Sequence, residues 1–142
     1  MRLFALAVST ALLMTTVASA DPIADRKAIM KDRAAEMKVL VPIAQGKVDF
    51  DAAAVMAELQ KMAENARRTD VDALWPAGSD QGDTKSSPKI WEDMVGFKAT
   101  MDKFKADAAA AAAANPQDLG SFQAVFGPLA SNCGSCHQKY RL

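Results

Sequence analysis

The chain has 142 residues, with 17 basic and 17 acidic side chains and a formal net charge of zero at neutral pH. That balance offers no basic excess to a nucleic-acid backbone or an anionic membrane surface, so neither is expected as a partner. The length suits one domain with one core, and two cysteines with a single histidine are too few for a four-ligand zinc site.

At the start, Met1-Arg2 is basic, 3–14 is apolar apart from Ser9 and Thr10, and Val17-Ala18-Ser19-Ala20 supplies small residues before Asp21. This is the pattern of a secretory signal peptide. Its apolar part is shorter than the roughly 20 residues needed to span a bilayer, and no later stretch is long and apolar enough either. The expected organisation is a signal peptide at 1–20, removed on export to the periplasm, and one domain at 21–142 without a membrane span.

A first helix is predicted to open with Asp21 as cap and Pro22 in its first turn. Its apolar stripe reads Ile23, Met30, Ala34, Met37 and Val41, and Pro42 with Gly46 should end it. Asp51 caps a second helix that runs to about Arg68, with Ala52, Met56, Leu59, Ala63 and Ala66 on one face. The connection 69–87 is rich in Asp, Gly, Ser and Pro, and Trp75-Pro76 in its middle is apolar enough to fold back on the helices. Ser87-Pro88 reads as the start of a third helix carrying Ile90, Met94, Phe97, Met101, Phe104 and Ala108. An alanine run at 108–114 continues it until Asn115-Pro116. The fourth helix carries Phe122, Phe126, Leu129, Cys133, Cys136 and Tyr140 at the same spacing, and Pro128 should bend it. Four amphipathic helices without β-branched runs predict an all-α antiparallel four-helix bundle.

The fourth helix also carries the chemistry. Cys133-Gly134-Ser135-Cys136-His137 is a C-x-x-C-H run holding both cysteines and the only histidine. A redox disulfide of the thioredoxin kind belongs near a βαβ pattern, which this chain lacks. The run is instead the attachment signature of a c-type haem: Cys133 and Cys136 form two thioethers, and His137 binds the iron. One covalent haem c is therefore expected, lodged in the bundle beside the last helix.

With no second histidine, the iron's other axial position falls to a methionine, a lysine, a tyrosine or nothing. The methionines after residue 20 are Met30, Met37, Met56, Met62, Met94 and Met101, and spacing alone does not choose among them. Met/His ligation marks electron-carrying cytochromes, and a peroxidase reading lacks a distal histidine for acid–base work.

The stretch Cys-x-x-Cys-His-x-x-Tyr-Arg at 133–141 resembles the haem motif of class II c-type cytochromes, the cytochrome c′ superfamily. Arg26-x-x-x-Met30, Leu74-Trp75-Pro76 and Ser87-Pro88-Lys89-Ile90-Trp91 extend the resemblance over the rest of 21–142. It implies that the first helix faces the distal side of the iron. In the low-spin c-556 type the position matching Met30 is a methionine that completes the coordination, whereas high-spin members leave the site open. By resemblance Met30 is the sixth ligand and Arg26 pairs with a haem propionate. Arg141, beside the motif, is a second candidate for that pairing. Trp91, Phe97 and Phe126 are expected to wall the haem, with Tyr140 at its edge.

The implied function is that of an exported one-electron carrier, not an enzyme, which serves redox partner proteins of the periplasm as a monomer or homodimer. The alternative is a high-spin protein that binds nitric oxide or carbon monoxide at an open distal site.

Overall fold

A computed structural model describes residues 21–142, so the expected signal peptide at 1–20 lies outside the described residues. Six helices are present among them: α1 (Pro22–Ala44), α2 (Ala52–Arg68), α3 (Val71–Leu74), α4 (Lys89–Glu92), α5 (Met94–Ala113) and α6 (Leu119–Tyr140). The four long ones form the expected bundle: α1 packs on α2, α2 on α5, α5 on α6, and α6 returns to α1.

Local sequence sets the helix ends. The Asp21 carboxylate accepts the Ile23 and Ala24 N–H groups at 3.0 and 3.2 Å, and the Asp51 carboxylate accepts Ala54 N–H at 2.8 Å. Asp118 and Ser121 form a capping box at the start of α6. Pro42 lies inside the last turn of α1 and does not end it. Gly46 ends it: with φ of +67° it lets Gly46 N–H reach Ile43 O and Lys47 N–H reach Pro42 O, both at 2.9 Å. Those two bonds make a Schellman motif.

The predicted third helix is in fact divided. Asp93, at φ −132° and ψ 54°, separates α4 from α5. Its carboxylate accepts Gly96 N–H at 3.1 Å, Lys139 Nζ at 2.7 Å and Tyr140 OH at 2.9 Å. The break thus caps α5 and ties it to the end of α6. A Cβ at Gly96 would lie 2.5 Å from Asp93 Oδ2, so the carboxylate occupies space that only glycine leaves free.

The buried faces of α1 and α2 also differ from expectation. On α1 the buried residues are Arg26, Ile29, Arg33, Glu36, Leu40 and Ile43, a stripe with helical spacing in which three of six members are charged. Met30 and Met37, expected on the buried stripe, are partly buried against the core and, with Ala34, line a cavity. On α2 the buried residues are Val55, Leu59, Met62, Asn65 and Ala66; of the expected face Leu59 and Ala66 are buried, while Met56 and Ala63 are only partly buried against the core. The core falls into two clusters. One gathers Leu40, Val55, Leu59, Met62, Phe104, Phe122, Phe126 and Leu129 among others. The other gathers Ile29, Leu74, Trp75, Ile90, Phe97, Met101, Cys136 and Tyr140.

Candidate haem site

A cavity of about 580 Å³ is lined from both clusters. That volume falls within the range typical of sites for cofactors and other small molecules. Its walls are Arg26, Met30, Arg33, Ala34 and Met37 from α1, Phe97, Thr100, Met101 and Phe104 from α5, and Asn132, Cys133, Cys136, His137 and Tyr140 from α6. Trp75, Ile90 and the segment 83–86 close one end. The walls are chiefly apolar, as a site that excludes water requires.

Helical spacing brings Cys133, Cys136 and His137 to the same wall. The helix end that carries them is fixed. Ser87 N–H donates to Tyr140 O at 3.0 Å and Leu142 N–H to Lys85 O at 2.9 Å, around an isolated antiparallel bridge between Ser86 and Arg141. Arg141 is thereby held by its backbone and is among the residues that line the cavity.

Both cysteines are free thiols. Burial raises their pKa values, that of Cys136 to about 11. Neither has the lowered pKa of a disulfide-exchange nucleophile. Desolvation against the cavity wall, then the charges of Arg141 and Arg33, lower the pKa of His137. The ring is therefore neutral at pH 7, the form that binds a metal.

Met30 and Met37 line the cavity from α1. Arg26, only 3% exposed, is engaged in tying the connection to α1. Its Nη1 donates to Leu74 O at 3.1 Å and Ser79 Oγ at 3.0 Å, and its Nη2 donates to Ser79 O at 2.6 Å and Thr84 Oγ1 at 2.8 Å. The Nε–H of Arg26 is buried with no acceptor. Of the expected aromatic walls Phe97 lines the cavity, as does Tyr140, which was expected at the edge. Phe126 packs in the other cluster and Trp91 sits behind, donating its indole N–H to Pro76 O at 3.0 Å. Trp75 and Phe104 line the cavity in their place.

A family model described as Cytochrome C′ matches residues 21–141. The chain belongs to the cytochrome c′ family. It is 39% identical over 126 residues to a cytochrome c′ of Rhodopseudomonas palustris, a match covering 88% of this chain and 84% of that one. It is 36% identical over 126 residues to a cytochrome c-556 of Agrobacterium fabrum, covering 89% and 84%. The solved structure of cytochrome c′ from Rhodopseudomonas palustris superposes with a TM-score of 0.79 at 37% identity, covering 87% of this chain and 98% of that one. The cytochrome c′ family implies a haem of the electron-carrier type, and relatives of this chain carry both the c′ and the c-556 name.

The residues present fit such a group. Two thiols and a neutral imidazole share one wall, thioethers line the same cavity from α1, and Arg26 and Arg141 supply cations to its lining. The sequence reading missed one participant, Arg33, which lines the cavity while buried against Asn65 and Thr69. The available signal was its place in the 3–4 spacing of Arg26, Ile29, Leu40 and Ile43, hidden because it is charged.

Proposed function

We propose that this protein is an exported one-electron carrier with one haem c, joined by thioethers to Cys133 and Cys136 and bound at iron by His137 and Met30. The observation that carries this reading is that Cys133, Cys136 and His137 on α6 share one cavity with Met30 on α1. A bound haem supplies a reversible one-electron couple, and the chain supplies everything else. His137 offers a neutral ring nitrogen. Met30 offers a soft, uncharged sulfur that suits the reduced metal and changes little on oxidation. The apolar walls keep water out, which lowers the reorganisation that accompanies each transfer. Arg26 is the cation for a propionate, with Arg141 as a second at the same cavity. The signal-like 1–20 directs the protein to the periplasm, where covalent haem attachment takes place and redox partner proteins are met.

One observation favours a second reading. Met30 is only half-buried in a large cavity, and a displaceable thioether would open the site to nitric oxide or carbon monoxide. Carbon monoxide added to the reduced protein separates the two. The electron-carrier reading predicts an inert, low-spin wild type, and a Met30→Ala variant that turns high-spin and binds the gas. Rapid binding by the wild type favours the gas-binding reading. A Met30→Ala protein that stays low-spin removes Met30 as the ligand.

A further inference from the structure

Arg33 is a buried cation outside every ion pair among the described residues; the one carboxylate whose charge acts on it is Glu36, one turn along α1 and itself buried. Arg33 is 8% exposed, and its guanidinium carbon lies 4.3 Å from the centroid of the Phe104 ring. Nε–H donates to Asn65 Oδ1 at 2.7 Å, Nη2 donates to Thr69 Oγ1 at 2.6 Å, and Nη1 lies 3.9 Å from Met30 Sδ. The acceptors are neutral, and none of the ion pairs among the described residues includes Arg33. The acceptors are themselves fixed: Asn65 Nδ2 donates to Ile29 O at 3.1 Å and Thr69 Oγ1 to Asn65 O at 2.9 Å.

An arginine guanidinium stays protonated at neutral pH even when buried. Joining α1 to α2 needs no charge here, because buried ions carry a desolvation cost that neutral or apolar side chains avoid. A charge held rigidly against the cavity by two buried acceptors calls for a role in the cavity.

We propose that Arg33 sets the reduction potential of the haem site, holding a fixed positive charge at the cavity wall that favours the reduced over the oxidised state. The inference rests on the reading that this cavity holds haem. An electron from an external donor lowers the charge of the site by one unit, so a cation held nearby in a low-dielectric wall stabilises the product. The contact of Nη1 with Met30 Sδ acts in the same direction, because it draws electron density from the sulfur.

The test compares midpoint potentials of purified, pigmented wild type with Arg33→Gln, Arg33→Met and Arg33→Lys, at low and high salt. Removing the charge with Gln or Met should shift the equilibrium with a fixed donor toward the oxidised form on the order of tenfold. For one electron that is about 59 mV. Arg33→Lys should keep most of the wild-type value, and the difference should survive high salt, which screens buried charges poorly. If either charge-removing variant retains its spectrum and the wild-type potential, Arg33 does not set it. If Lys falls as far as Gln and Met, the role is structural and the inference is wrong. Absence of covalent pigment from the wild type overturns the haem reading itself, and this inference with it.

Discussion

The Asp93 carboxylate ends α4, caps α5 and receives two groups from the end of the helix that carries the haem motif. Hydrogen bonds from Lys139, then Tyr140, then the Gly96 N–H hold its pKa down at about 2. A carboxylate with a depressed folded-state pKa stabilises the protein above its ordinary value near 4, and that contribution disappears as pH falls through about 2. Asp93→Asn should therefore have a lower urea midpoint than wild type at pH 7, and the gap should close as pH approaches 2. A gap that persists there would mean the carboxylate charge is not what matters. Residues at this scale were unevenly legible. Cys133, Cys136 and His137 stand out because thioether formation and iron ligation demand those residue types at that spacing. Arg33 does not, because an arginine in an amphipathic pattern reads as solvated until Asn65 and Thr69 are known to face it.

At the scale of elements, capping residues and the 3.6-residue repeat gave helix positions with little ambiguity. Asp21 and Asp51 each accept N–H groups where a side-chain oxygen should. Facing was harder. Alanine is common on every side of α1 and α2 and gives little contrast, while Arg26, Arg33 and Glu36 interrupt the stripe that is buried. The break at Asp93 was invisible for a related reason, since its partners Lys139 and Tyr140 lie far along the chain. Asn65 holds α1 to α2, taking a hydrogen bond from Arg33 and giving one to Ile29 O, and it is 1% exposed. Asn65→Ala leaves a buried guanidinium N–H unpaired and removes a second hydrogen bond from Ile29 O, so it should cost about 2 kcal/mol. Thermal or urea unfolding checks this. A loss within about 0.5 kcal/mol would show that the two helices hold together without the bridge.

In the whole molecule, the two apolar clusters meet at the cavity, and the walls that make it come from helices distant in sequence. The bundle architecture was legible from four amphipathic segments and their connections. The cavity was not, because it depends on which faces of α1, α5 and α6 converge. Family membership and geometry agree on a haem protein, and the covalent link to the tail of α6 is the claim on which ligation, potential and electron transfer all depend. Extraction with acidified acetone of protein purified from a host that exports it and matures c-type cytochromes tests that claim most directly. The account predicts that the colour stays with the polypeptide after extraction. A pigment that passes into the solvent, or a protein that is colourless from the outset, contradicts it.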